Sequence, residues 1–173
     1  RELRALRHPD VQLAAGVALV GFGGIFAMYT YIAKIVTDVT GLGEGAVPVV
    51  LFLFGVGAVA GTWWAGRLAD WDLVRAVLVG FVIITVTLLL FTMTASWAVP
   101  VHLLVASLGV GCSVLAVTLQ VYLMRVAGDS ALLGAALGQS ALNGANAIGA
   151  WLGGVAIATG LGYRAPSLVG AVL

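Results

Sequence analysis

Charged residues along this chain fall in short islands, and long uncharged apolar stretches run between them. Residues 11–33 carry no charge, and a membrane span needs about 20 such residues. They predict a first helix over about 11–35. Pro9 and Asp10 suit its first turn, where Pro loses no hydrogen bond and Asp meets the positive end of the helix dipole. Lys34, Asp38 and Glu44, interleaved with Gly41, Gly43 and Gly45, then read as a polar turn. A second span follows over about 46–66, with Gly57 and Gly61 spaced for close helix contact and Trp63 and Trp64 at interfacial depth. Residues 76–124 contain no Asp, Glu, Lys or Arg, a run long enough for two spans and a turn. Placing that turn at Thr94–Trp97, ahead of Pro100, gives spans of about 74–93 and 99–122. Gly128 and Asp129 mark the next turn and cap, and a fifth span covers about 131–158. After a turn at Gly160–Pro166, a sixth span begins near residue 165 and is cut at 173. The pattern predicts an all-α, six-helix transmembrane bundle, with residues 1–173 forming one domain.

Composition agrees. The chain has 173 residues, of which 62% are hydrophobic and 9% charged, whereas soluble domains carry about 25% charged residues. Mean hydropathy is +1.14. A net charge of +1 gives no reason to expect a nucleic-acid partner. The single cysteine, Cys112, excludes an internal disulfide and a cysteine metal cluster. Set in an apolar run, it is expected to be a buried, inert thiol. No metal-ligand cluster or phosphate-binding glycine loop is present, so no metal site or cofactor is expected. The first apolar segment is too long for a signal peptide and is read as a mature span. The chain begins at Arg1 and stops within an apolar run, so both ends look cut.

The most informative stretch is Gly134–Gly154. It is uncharged, yet it holds Gln139, Asn143 and Asn146 at i, i+4 and i+7, one stripe of a helix. In lipid such a stripe must face protein or a water-filled cavity. One reading makes it a wall of a solute pathway. The other makes the amides hydrogen-bond neighbouring helices and hold the bundle together, at about 0.6 kcal/mol per bond on average.

Gly66–Arg75 is the second notable stretch. It reads as a short charged loop in which Asp70 caps the next helix, and Arg67 and Arg75 pair with Asp70 or Asp72. It could latch one conformation shut, or be a solvated turn whose exposed ion pairs contribute little. Successive spans alternate sides. One side then carries Arg1, Arg4, Arg7, Arg67, Arg75 and Arg125, and the other Lys34 and Arg164. Six against two places the first side, with residue 1, in the cytoplasm by the positive-inside rule.

The segment Gly66-x-Leu68-Ala69-Asp70, followed by Arg75, resembles the loop signature of the major facilitator superfamily, with Trp71, Leu73 and Val74 standing where Arg, Gly and Arg are usual. The runs Asn143–Gly154 and Gly160–Pro166 are similar to the eleventh and twelfth helices of bacterial sugar and drug efflux permeases, in particular the arabinose-efflux-permease-like drug:proton antiporters. The resemblance implies the C-terminal six-helix half of a twelve-helix transporter of the bacterial inner membrane, with the last helix truncated. The missing N-terminal half, the lipid bilayer and a small-molecule substrate would be its partners. It implies alternating-access efflux of a drug or sugar, coupled to protons. It also implies that the first, second, fourth and fifth spans line the cavity, which supports the Gln139, Asn143 and Asn146 stripe and adds Tyr29, Tyr31 and Gln120. Both tyrosines equally suit anchors at the outer membrane surface.

Proton coupling needs a titrating group within the membrane. The Asp and Glu residues fall in loops or at span ends, which leaves His102, near the outer end of the fourth span, as the candidate in this half. An intramembrane hydrolase would need a nucleophile beside a base. The pair available, Ser140 and His102, falls near opposite ends of its spans, so no catalytic residue is assigned and an enzyme is not expected. A structural or partner-binding six-span protein is the remaining alternative.

Overall fold

The computed structural model describes residues 9–173, apart from the side chain of residue 129. The sequence-predicted cytoplasmic lead-in with Arg1, Arg4 and Arg7 lies outside the described residues. Among the described residues, five helices are long and apolar enough to cross a membrane. In order the elements are α1 (Pro9–Tyr29), a short α2 (Ile32–Lys34), α3 (Ala46–Trp71), α4 (Leu73–Thr94), α5 (Ala98–Val126), α6 (Ala131–Ala156) and α7 (Ala165–Val172). Hydrocarbon offers no hydrogen bonds, so an all-helical chain that bonds its backbone internally is the form lipid permits. This is an all-α membrane bundle.

Short connections reverse the chain each time. Arg67, Arg75 and Arg125 therefore fall at one end of the bundle, and Lys34 and Arg164 at the other. The turn predicted at Thr94–Trp97 lies between α4 and α5.

Three boundaries differ from expectation. The first span, read as continuous over 11–35, breaks at Thr30–Tyr31 and continues through α2 into a π-helical turn, Ile35–Val39. There the Thr30 hydroxyl donates to the Phe26 carbonyl at 2.8 Å, and the Tyr31 amide bonds to Met28, one residue short of the α-helical register. The second span runs on to Trp71. The Gly66–Trp71 part of the presumed loop is therefore the last turns of α3, and the connection to α4 shrinks to Asp72. Leu68 and Ala69 favour helix, and Ala69 is buried. The fifth span ends in a π-helical turn, Ile157–Leu161. It stops where Gly160 and Gly162 take φ of +85° and +75°, left-handed angles that glycine reaches without strain.

Packing runs through small residues. On α3, Gly57 and Gly61 lie against the backbone of Ala106 and Val110 on α5. On α6, Ala141, Ala145, Gly149 and Gly153 form a buried stripe against α1. A Cβ at Gly153 would sit 2.5 Å from the Ala27 carbonyl oxygen, and one at Gly149 would collide with the Gly23 carbonyl. Such close crossings recover dispersion contact where lipid removes the hydrophobic drive between helices. Between these seams α5 also touches α4, and Ile25, Met28, Leu88, Phe91, Leu108 and Leu115 fill the core. Between α4 and α5 the Thr87 and Ser107 hydroxyls bond to each other at 3.0 Å.

The seam makes a prediction. In the full-length protein, Gly149→Ala should lower stability by about 1–3 kcal/mol through overpacking. Gly66→Ala adds the same methyl where nothing lies within 4 Å. It should be neutral or stabilising, by up to about 1 kcal/mol. Thermal unfolding in detergent, followed by loss of the monodisperse peak, distinguishes the two.

Candidate functional site: an amide stripe beside a cleft

The faces of α6 divide by size. Its small residues are spent on α1, which turns Gln139, Asn143 and Asn146 away from the seam. At 100° per residue the three amides fall within about 60° of one another. All three are exposed on the surface of this bundle. None makes a hydrogen bond to the described residues. Among the described residues they do not tie α6 to a neighbouring helix.

Beside the stripe, α1, α5 and α6 enclose a cleft of about 240 Å³. Gln139 lines it together with Gln120, Ala18, Phe22 and Leu119. Gln120 is half-buried, and its Nε2 donates to the Ala135 carbonyl at 3.5 Å, a long bond that leaves the amide free to exchange partners. Gly138 makes room for it, since a Cβ there would lie 2.9 Å from Gln120 Oε1. The cleft is therefore apolar with two amides at its wall. Such groups can donate or accept without a fixed charge. Asn143 and Asn146 continue the stripe outside the cleft.

The two tyrosines are elsewhere. Tyr29 packs on Phe54 of α3, with ring centroids 4.6 Å apart. The Tyr31 hydroxyl donates to the Ala150 carbonyl on α6 at 2.9 Å. The side chain fits over Gly153 and Gly154, where a Cβ would fall 2.9 Å from its ring and 2.6 Å from its hydroxyl, respectively. Neither lines the cleft. His102 Nδ1 lies 2.6 Å from the Ala98 carbonyl of its own helix. The Ser140 hydroxyl likewise donates to Ala136, four residues back.

At the end bearing Arg67 and Arg75, the predicted cap moves. Asp70 is an exposed residue within α3 and does not cap α4. Asp72 does so, accepting from the Arg75 amide at 3.0 Å while its other oxygen lies 3.2 Å from Arg75 Nε. An Asp directly before the apolar run Leu73–Val74 was the signal for this, because the cap must precede the first helical turn. Arg67 lies over the Trp63 ring. The sequence reading missed Phe22 and Gly138, whose part in the cleft depends on how α1 and α5 approach α6.

The geometry is that of a bundle of apolar, membrane-length helices with an uncharged polar stripe facing out of it. No family model matches the chain. It is 32% identical, over its whole length and 44% of the relative's, to the inner membrane transport protein YdhP of Escherichia coli (strain K12). It is 27% identical to the uncharacterized MFS-type transporter YtbD of Bacillus subtilis (strain 168), over 89% of the chain and 40% of the relative. A 69-residue stretch, 40% of the chain and 18% of the relative, is 44% identical to a chloramphenicol resistance protein of Streptomyces lividans. Along most or all of its length the chain is thus similar to membrane transporters, among them one named as a major facilitator superfamily type, and it spans less than half the length of these relatives.

The Tyr31 bond yields a second prediction. Tyr31→Phe removes one hydroxyl and leaves the Ala150 carbonyl without that partner, which should cost about 1 kcal/mol. The unfolding midpoint in detergent should fall, and Tyr31→Leu, which also loses the ring over Gly153 and Gly154, should fall further.

Proposed function

We propose that this chain is the C-terminal six-helix half of an alternating-access exporter of a small organic solute, with Gln139, Asn143, Asn146 and Gln120 on the solute pathway. The observation that supports it best is the exposed amide stripe. Three amide side chains face outward from an uncharged helix and are without a partner among the described residues. In a bilayer they need one, and a water-filled cavity against an opposing half provides it. Amides suit an uncharged polar or lipophilic solute, a drug or a sugar. The chloramphenicol resistance relative makes chloramphenicol the first solute to test.

In this reading the full-length protein lies in the bacterial inner membrane, with residue 1, Arg67, Arg75 and Arg125 on the cytoplasmic side. Efflux is driven by protons. His102, the candidate proton-linked residue of this half, has its ring bonded to its own helix. The reading therefore places the main proton carrier in the other half. Tyr29 and Tyr31 serve the pathway by fixing the outer ends of α1 and α6 against their neighbours.

Transport by the full-length protein tests this. Asn143→Leu and Asn146→Leu should each reduce solute export at least tenfold, about 1.4 kcal/mol of lost interaction, while membrane expression stays near wild type. Loss of expression in step with export would instead support a packing role. Export unchanged by both would remove the stripe from the pathway.

A further inference from the structure

Along the last turns of α3, aromatic and basic side chains follow one another on a single line. Trp63, Arg67 and Trp71 recur at every fourth residue and so share a stripe. The Arg67 guanidinium carbon lies 3.5 Å from the centroid of the Trp63 ring. All three side chains are exposed, on the face away from the Gly57–Gly61–Ala65 seam. Further into the membrane, Phe52, Val56 and Val59 continue the same stripe and are also exposed.

Two features set this line apart from an ordinary basic turn. The first is what Arg67 lacks. It joins no ion pair among the described residues, and its hydrogen bond is a 3.5 Å contact from Nη1 to the Trp63 carbonyl. Stacking on Trp63 uses the face of the guanidinium and leaves its N–H edge available. Arg75, whose guanidinium carbon lies 5.4 Å from the Trp71 ring centroid, differs because its Nε is held 3.2 Å from Asp72. The second is depth. The charge-free run from Gly45 to Gly66 rises about 33 Å at 1.5 Å per residue, close to the roughly 30 Å of bilayer hydrocarbon. Arg67 is the first charge beyond that run. Its guanidinium thus stands at the level of the lipid phosphates, with the Trp63 indole one turn inside, where indoles settle.

We propose that Trp63, Arg67 and Trp71 form a binding site for the phosphate of an anionic phospholipid. Arg67 donates from its open edge in the forked geometry that suits phosphate oxygens. The two indoles flank the headgroup, and an acyl chain lies along Val59, Val56 and Phe52. An anionic lipid is preferred to a zwitterionic one because the latter brings its own cation to the phosphate. The lipid tail, not free phosphate, occupies the apolar part of the stripe.

Native mass spectrometry of the full-length protein, with phosphatidylglycerol and phosphatidylcholine added in parallel, tests the site. Wild type should retain phosphatidylglycerol about fivefold more than phosphatidylcholine. Arg67→Gln should abolish that preference, and Lys34→Gln, at the opposite end of the bundle and 3.8 Å from Asp38, should leave it intact. Millimolar inorganic phosphate should not displace the lipid. Equal retention of the two lipids by wild type, an unchanged preference in Arg67→Gln, or displacement by inorganic phosphate would each overturn the proposal. If Arg67→Gln does not fold, brominated lipids decide. Brominated phosphatidylglycerol should quench tryptophan fluorescence more than brominated phosphatidylcholine, and the difference should shrink in Trp63→Phe. Equal quenching by the two lipids, or a difference untouched by Trp63→Phe, overturns it.

Discussion

Helix α6 meets α1 through backbone more than through side chains. Gly149 and Gly153 bring α6 onto the carbonyls of Gly23 and Ala27, a distance no larger residue would allow. Gly57 and Gly61 do the same between α3 and α5. In water, burial of apolar area would drive these helices together, but lipid tails are as apolar as leucine, and close contact has to replace that drive. A helix committed in this way has only one face that can be small. Whatever else it carries must project from the others.

That constraint is what makes the amides of α6 informative. With Ala141, Ala145, Gly149 and Gly153 on the seam, Gln139, Asn143 and Asn146 are turned outward. An exposed polar stripe would be unremarkable on a soluble helix. On a helix whose surroundings are lipid or protein it requires water or a partner. The cleft beside it, walled by Gln120 and Gln139, shows how such groups can line space without closing it.

Spans were legible in the sequence because charge marks their ends. The five long helices overlap the uncharged runs, although α1 ends early at Tyr29 and α3 runs on to Trp71. What misled was local. The Gly66–Arg75 stretch looked like a loop because it is polar, yet nothing in Arg67–Trp71 breaks a helix, and α3 continues through it. The break at Thr30–Tyr31 was not legible, since it comes from hydrogen bonds to Phe26 and Met28 and from the Tyr31 link to α6. The amide stripe could be read from periodicity alone. The cleft could not, because Gln120 and Phe22 reach it only through the packing of three helices.

The central claim is that the α6 stripe meets water inside the membrane. Cysteine accessibility in the full-length protein tests it most directly. In a Cys112→Ser background, Asn143→Cys and Asn146→Cys should react with a charged, membrane-impermeant thiol reagent, and excess solute should slow the reaction. Residues 143 and 146 that stay unreactive in folded protein, while the same variants label fully once denatured, would contradict the account.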